Sequence, residues 1–325
     1  MSINKDKREG WFFIKTIFSI FVLSLFINVM NFKTDYVKIK PGPLYKITYD
    51  GEKLYNESSG SFNMSTIAVK RLSGIDYIIS YINNDVDIYP LEKNINDEKT
   101  IAMLSAKEIA AIVSESIIQG VVPNVELAIS YVLDGSNASR LNLQIGDIIK
   151  KIDGVSIMSY QDLTDNLKNG AYSLEIQRDG KILIINDIIV NPDEKLGVKL
   201  YPIGKTEINI DKIETSNVSG ASGGLIFTLV LLDHFTDGDL SIGKKISGSG
   251  TINLDGSIGG IDGVYYKYKA AVKGDIDLFF VPRKNYETIE KIESKETKII
   301  PVDNIFQVID YLCNAGSGSK LCGKI

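Results

Sequence analysis

A continuous apolar run near the amino terminus is the first feature of the hydrophobic pattern. Trp11 to Met30 is about long enough to cross a bilayer as a helix. Lys15 interrupts the run close to its start, where its aliphatic stem can reach the membrane interface. We therefore predict a transmembrane anchor over residues 11–31.

The basic residues ahead of this run, Lys5, Lys7 and Arg8, predict its orientation. Lys and Arg are enriched on the cytoplasmic side of a span, so residues 1–10 are expected to be a cytoplasmic tail and the remainder to face away from the cytoplasm. A cleavable signal peptide is the alternative. The residues after the run lack the small-x-small pattern of a cleavage site, which favours a retained single-pass anchor.

Residues 32–121 have a mixed pattern. Phe62–Val69 resembles a strand, Ile101–Ile118 has apolar residues at helical spacing, and Pro41-Gly42-Pro43 predicts a turn. None of these segments carries a recognisable chemistry. We interpret the region as a stalk or an adaptor.

Short strands separated by turn signals dominate residues 122–193. Strands are expected over Val125–Val132, Tyr172–Gln177 and Ile182–Ile189, with a short helix over Tyr160–Leu167. Between them, Leu143 to Gly154 combines Gly146-Asp147, a short apolar strand and a hairpin turn. This segment resembles the recurrent core of PDZ domains of the bacterial protease-associated type, with Asn142 where a glycine is usual. The resemblance implies a module that adds a peptide strand along an exposed sheet edge.

Strand and helix signals alternate over residues 194–313. We predict a helix at Leu225–Phe235, a buried strand at Leu278–Val281, an amphipathic helix at Tyr286–Ile292 and a closing helix at Asn304–Leu312, capped by Asp303 or Asn304. Residues 314–325 form a tail. The chain is thus expected to be an α+β multidomain protein.

Composition narrows the function classes. The 325 residues have a net charge of −5, which argues against a broad nucleic-acid surface. The single histidine, His234, restricts both zinc sites and Ser-His-Asp triads, and its position favours a C-terminal helix cap. Cys313 and Cys322 could form a disulfide or remain free thiols. No metal and no cofactor are predicted.

Two segments carry candidate chemistry. Ser222 lies in a glycine-rich turn that opens the Leu225–Phe235 helix, where free backbone N–H groups could hold an oxyanion. Further along, the spacing Gly263-Val264-x-x-Lys267 places a lysine in the first turn of another helix. That position is unfavourable for a cation and helps to lower its pKa.

Residues 220–282 resemble the proteolytic domain of Lon (endopeptidase La), and more closely its PDZ-containing relatives in Gram-positive bacteria. The family patterns G-P-S-A-G-(L/I), T-G-x-I-x-L-x-G, G-G-(L/I/V)-x-x-K and K-x-x-A-A are matched, in this order, by Gly220–Leu225, Ser249–Gly256, Asp262–Lys267 and Lys267–Ala271. Ala221 replaces the family's proline, Gly223 its alanine and Asp262 its first glycine. The first two changes are expected to loosen the loop around Ser222.

The resemblance implies a Ser-Lys dyad in a serine endopeptidase. Ser222 would be the nucleophile, Lys267 the general base, and Ser249, at the family's threonine position, a support that orients the amine. Gly204-Lys205-Thr206 resembles a nucleotide-binding loop, but the glycine required five positions earlier is Lys199, so ATP-independent cleavage is expected. Partners are peptide or protein substrates held by the PDZ domain, the membrane and, since Lon domains form rings, other copies of the chain. An inactive PDZ scaffold or a peptide-binding chaperone at the cell surface is the alternative.

Overall fold

The computed structural model describes residues 3–51, 59–82, 87–91, 96–121, 125–157, 160–167, 170–190, 196–204, 206–215, 218, 220–292 and 296–323. Its helices are α1 Ile3–Asn31, α2 Gly74–Ile82, α3 Asn96–Gln119, α4 Asn137–Arg140, α5 Tyr160–Asn166, α6 Gly224–Phe235, α7 Val264–Lys273, α8 Arg283–Tyr286 and α9 Ile305–Asn314. Its strands are β1 Lys33–Lys46, β2 Ser61–Ser73, β3 Ile88–Pro90, β4 Val125–Val132, β5 Ile148–Ile152, β6 Val155–Ser156, β7 Gly170–Arg178, β8 Lys181–Val190, β9 Val198–Gly204, β10 Lys245–Gly248, β11 Thr251–Ile252, β12 Ile258–Gly259, β13 Leu278–Pro282 and β14 Lys298–Val302. The protein is a mixed α+β structure.

The larger sheet has the strand order β14-β13-β10-β2-β1-β3. Four strands, β14, β13, β10 and β2, are parallel, and β1 is antiparallel to both of its neighbours. Helices cover both faces of this sheet, as two neighbouring residues of β13 illustrate. Phe280 packs in the cluster that contains α6, whereas Phe279 packs with α7. Successive side chains of a strand point to opposite faces, so a strand covered on both sides must be apolar throughout. All five residues of β13 are buried.

Residues 32–121 are not a stalk, so that interpretation was wrong. The strand β2 pairs in parallel with β10, from Lys245↔Ser61 to Gly248↔Met64. The helix α3 packs on α6, where Ser114 Oγ donates to the carbonyl of Thr228. Because α6 is apolar around most of its circumference, all of its faces must be covered by protein, and α3 covers one of these faces.

Pro41-Gly42-Pro43 lies within β1 rather than at a turn. The pairing of β1 with β2 shifts register between Pro41 and Leu44, which marks an irregularity where strands tolerate proline. Gly42 fits because a Cβ there would lie 2.4 Å from Thr66 Oγ1. The proline-glycine signal therefore marked a bulge and not a chain reversal.

A second, wholly antiparallel sheet, β8-β7-β5-β4-β9 with β6 on β5, is built from strands between Val125 and Gly204 and lies in sequence between the two parts of the larger sheet. It also has six strands, but these contain fewer residues in total, and we call it the smaller sheet. The motif residue Asp147 is buried and holds this sheet together. It accepts from Arg178 Nε at 2.6 Å and Nη2 at 2.7 Å and from the Gln144 N–H at 2.8 Å. The predicted boundary at 193/194 falls too early, because β9 pairs with β4 from Val125↔Gly204 to Val132↔Val198.

The other predicted elements fared unevenly. The helix at Leu225–Phe235 and the strand at Leu278–Val281 are confirmed as parts of α6 and β13. Asn304 caps α9 by accepting from the Gln307 N–H at 3.0 Å. The helix expected at Tyr286–Ile292 is wrong: α8 begins at Arg283, directly after the strand, and turns follow it.

The two termini show the remaining features. Within α1, Trp11–Met30 has a mean hydropathy of 2.1 and no buried residue, so by length and composition it could cross a membrane. At the other end Cys313 and Cys322 form a disulfide. Leu321 is fully buried in the core cluster that contains α6, and Ser317 Oγ donates to the carbonyl of Asp239 at 2.8 Å. The tail therefore packs against the domain that contains the larger sheet.

Candidate active site

Ser222 lies in a single 3₁₀ turn, Ala221–Gly223, that leads into α6. Gly220 precedes the turn with a φ of 99°, a conformation that only glycine adopts without strain. A Cβ at Gly223 would lie 2.6 Å from Met64 Sδ, in a space that the larger sheet already fills. Gly223, which replaces the family's alanine, thus makes room for Met64. The sequence alone predicted only that this glycine would loosen the loop around Ser222.

The backbone of Ser222 is held by the segment between β10 and β11. Its carbonyl accepts from the Gly250 N–H at 3.0 Å and from Ser249 Oγ at 3.1 Å. The carbonyl of Gly250 in turn accepts from the Leu225 N–H at 3.1 Å. These bonds tie the start of α6 to the neighbouring strands and restrict where the serine side chain can point.

Lys267 approaches from α7, on the other face of the sheet. Gly263 begins this helix with a φ of 67° and accepts from the Lys267 N–H at 3.1 Å. The lysine Nζ lies 2.8 Å from Ser222 Oγ and 3.0 Å from Ser249 Oγ. The three residues singled out from the sequence therefore meet at one point.

The hydroxyl protons can be ordered in one consistent way when Lys267 is neutral. Ser249 donates to the Ser222 carbonyl, so its oxygen is free to accept an N–H of Lys267. The lone pair of the amine is then available to the Ser222 hydroxyl, 2.8 Å away. This arrangement can remove a proton from Ser222.

Burial is the main cause that favours the neutral amine. Lys267 is 6% exposed, and this burial lowers its pKa to about 8, while the charge of Asp262 opposes the shift. A lysine with this pKa is partly neutral near pH 8, whereas a free lysine with a pKa near 10.4 is almost wholly protonated there. The opposing carboxylate stands at the position where the family has its first glycine.

The other basic side chains near these motifs that could act as a base for Ser222 make different contacts. His234 is in the last turn of α6, about 15 Å along the helix from its start at 1.5 Å per residue, and its ring packs against Tyr49. Lys269 places its ammonium over the ring of Tyr265, and Lys244 pairs with Asp277. Among the described residues no group of three His, Cys, Asp or Glu side chains could hold a metal ion.

Met64 and Ile67, both on β2, border the site, and the sequence analysis did not predict this position for either residue. A Cβ on Gly263 would lie 3.2 Å from Ile67 Cγ2, so β2 touches the turns that present both Ser222 and Lys267. Their segment was recognised as a strand, but nothing in its local pattern says which strand it pairs with. A short apolar strand gives no such signal.

Comparison with known proteins identifies the matching family. Residues 212–315 match the Lon protease (S16) C-terminal proteolytic domain. This range contains Ser222, Ser249 and Lys267, whose roles remain predictions. This part of the chain is therefore similar to a Lon-type protease domain.

Relatives of two kinds are similar to the chain at low identity. The Lon protease of Campylobacter jejuni is 26% identical over 231 residues, 70% of this chain and 25% of that protein. The Lon protease of Mycoplasmopsis agalactiae is 30% identical over 123 residues, 37% of this chain and 12% of that protein. The Regulator of sigma E protease of Haemophilus influenzae is 25% identical over 260 residues, 72% of this chain and 56% of that protein. The chain spans a quarter or less of the two Lon proteases and just over half of the third relative.

Proposed function

We propose that the protein is an ATP-independent serine endopeptidase in which Ser222 is the nucleophile and Lys267 the general base. The observation that carries this proposal is the 2.8 Å approach of a buried lysine amine to a serine hydroxyl inside a Lon-type domain. The Gly204-Lys205-Thr206 segment lacks the first glycine of a phosphate-binding loop, where Lys199 stands, so we infer that this chain cleaves without hydrolysing ATP.

The proposed reaction follows from the geometry. Ser222 Oγ attacks the peptide carbonyl carbon while its proton moves to Lys267 Nζ. The negative charge on the carbonyl oxygen is stabilised by backbone N–H groups of the turn around Ser222 and by the positive end of the α6 dipole. The C–N bond then breaks and the amine leaves with the proton from Lys267. A water gives its proton to the same lysine as it attacks the acyl carbon, and Lys267 returns that proton to Ser222 Oγ when the C–O bond breaks.

The smaller sheet is proposed to be a PDZ domain that presents substrates. Among the residues that the structure describes, its strand β9 pairs with β4 alone and so forms an edge of the sheet to which a peptide strand could add. Replacing residues 125–204 by a short linker should impair cleavage of a protein substrate more than cleavage of a short peptide. Equal losses on both substrates would contradict the presenting role.

The location proposed for the protein is the cell membrane, with α1 as a single-pass anchor and the catalytic domain outside the cytoplasm. The Cys313–Cys322 disulfide supports an oxidising compartment. Protease added outside intact cells should remove the bulk of the chain, and protection of the whole chain would contradict this topology.

A peptidase assay combined with a serine-reactive probe tests the enzymatic proposal. The wild-type chain should hydrolyse a short peptide and take up the probe, and Ser222→Ala should do neither. Ser130→Ala is the matched control, because Ser130 lies in the smaller sheet and donates to the carbonyl of Lys199. If wild type and Ser222→Ala are equally inactive and unlabelled, the protein is the scaffold or chaperone of the alternative interpretation.

A further inference from the structure

The helix α2 carries an apolar stripe that the protein leaves uncovered. Ile75, Ile78, Ile79 and Ile82 recur at the spacing of one helix face, a pattern that normally packs into a core. Yet Ile78, Ile79 and Ile82 are 45%, 50% and 71% exposed. In the part of the chain that the structure describes, this face meets no core.

The start of α2 lies against the end of the apolar helix α1. The N–H of Gly74 donates to the carbonyl of Phe32 at 2.8 Å, and a Cβ on Gly74 would lie 2.6 Å from the carbonyl oxygen of Val29. The exposed stripe of α2 is thus continuous with the exposed apolar surface of α1. Whatever surrounds the last turn of α1 reaches α2 as well.

Aromatic residues surround this junction. Tyr36 and Tyr77 stack with ring centroids 4.7 Å apart. Phe32 and Tyr81 are exposed, and Tyr89 is exposed on β3, paired with Val37 near the start of β1. Tyrosine is enriched where a protein crosses the interface between lipid and water, because its ring is apolar and its hydroxyl is polar.

The charges beside α2 are largely paired with one another. Asp76, on the helix itself, accepts from Lys70 at 3.0 Å, and Arg71 donates to Asp35 at 2.9 Å. A helix with one apolar face and one polar face can lie in the plane of a bilayer surface, and Asp76 is the one charged residue that α2 itself contributes.

We propose that α2 is an interfacial helix whose isoleucine stripe inserts into the outer leaflet beside the anchor. This inference rests on the proposed anchoring by α1. Lipid is the favoured occupant because the stripe is continuous with the surface that α1 would present to lipid, so that one hydrocarbon phase covers both.

A second attachment point limits how far the catalytic serine can stand from the membrane. The strand β2 ends at Ser73, next to α2, and Met64 on the same strand contacts Gly223 beside Ser222. Nine residues of strand span about 30 Å at 3.3 Å per residue. Met64, and with it the turn that carries Ser222, is therefore held within about 30 Å of α2, and the substrate class that reaches Ser222 is polypeptide segments within that distance of the membrane.

Spin labelling of the full-length chain in phosphatidylcholine–phosphatidylglycerol vesicles tests the insertion of α2. A nitroxide is attached at Ile82→Cys, with Ile145→Cys, 69% exposed in the smaller sheet, as the matched control and Leu23→Cys as the reference within α1. Cys313 and Cys322 are bonded to each other and leave no competing thiol. The measurement is the collision rate of each label with oxygen, which enters lipid, and with a nickel chelate, which does not.

We expect the nickel collision rate at Ile82 to be several-fold lower than at Ile145, with oxygen access retained. Equal nickel access at the two positions, with Leu23 in lipid, would overturn the insertion of α2 while leaving the anchor intact. Protection from both reagents together with spin–spin broadening that disappears on dilution with unlabelled chain would identify a second copy as the occupant and also overturn it. Free nickel access at Leu23 would refute the anchor and the insertion together. None of these outcomes depends on peptidase activity.

Discussion

Lys107 and Lys267 are both buried lysines, but their surroundings differ in one respect. Both lie in helices, are less than a tenth exposed, and have a pKa lowered by burial. The Lys107 amine donates at 2.8 Å to the carbonyl of Ile213, which can only accept. The Lys267 amine lies 2.8 Å from the Ser222 hydroxyl, which can also donate. Burial makes a lysine less basic in both places, but only a partner with a removable proton makes it useful as a base.

The same substitution at both lysines gives the strongest test of whether only Lys267 acts as a base. Lys267→Met should lower kcat/KM for a short peptide by about 10²–10⁴-fold, the usual contribution of a general base. Lys107→Met should leave the activity of the folded protein near the wild-type value. Initial rates of purified, folded variants measure the difference.

Two further variants separate the charge of Lys267 from its basicity. Lys267→Arg should be as inactive as Lys267→Met, because a guanidinium stays protonated and cannot accept the serine proton. His234→Gln should retain most activity. Near-normal turnover of Lys267→Arg together with loss of activity in His234→Gln would mean that the dyad is assigned wrongly.

Lys267→Met should also stabilise the fold, in a pH-dependent way. Below pH 8 the lysine is protonated in the folded and unfolded states, so the folded state bears the full cost of burying the charge. A pKa lowered from 10.5 to about 8 corresponds to a cost of up to about 3 kcal/mol. Between these values the folded state binds fewer protons, so wild-type stability rises with pH and the advantage of methionine shrinks. Denaturant unfolding at pH 7 and pH 10.5 should show this convergence; a constant difference would contradict it.

Substitutions at Ser249 test whether the hydrogen bond between its hydroxyl and the Lys267 amine contributes to activity. Ser249→Ala should lower kcat/KM by about ten-fold, the effect of one lost buried hydrogen bond. Ser249→Thr should restore most of the rate, because the hydroxyl returns. A role confined to packing would instead give the threonine variant, with its added methyl in a fully buried position, the larger loss.

The smallest expected effect is a shift of the pH profile. The rate should rise toward alkaline pH along one limb near pH 8, since the neutral amine is the active form. Asp262→Asn removes the charge that raises the pKa of Lys267, so the limb should move toward lower pH. Asp310→Asn, at an exposed position of α9, is the control and should leave the limb in place. Coincident limbs in all three proteins would show that Asp262 does not act on the base.

The meeting of Ser222, Ser249 and Lys267 could be predicted because each lies in a short motif with fixed spacing. The turn before α6 and the start of α7 are local structures, set by glycines at Gly220 and Gly263 that have positive φ. Family resemblance then supplies the pairing that local rules cannot. The convergence of these three residues was accordingly easier to predict than the segments that surround them.

The architecture around the site was harder to predict. The strand β2 was recognised, but its parallel pairing with β10 joins segments far apart in sequence, and an apolar strand carries no label for its partner. The same reason explains why β9 was assigned to the wrong domain. In β1 the signal was present but ambiguous, because proline and glycine mark bulges as well as turns.

The pairing of β2 with β10 also orders events during the synthesis of the chain. Strand β10 follows β2 by about 180 residues, which takes about 10–40 s at common rates of translation. The smaller sheet, with its strands close together in sequence, is complete well before β10 emerges. Lys267 follows Ser222 by 45 residues, so for about 2–9 s at the same rates the nascent chain contains Ser222 without its proposed base. The proposed peptidase therefore could not cut its own emerging strands before Lys267 has been synthesised.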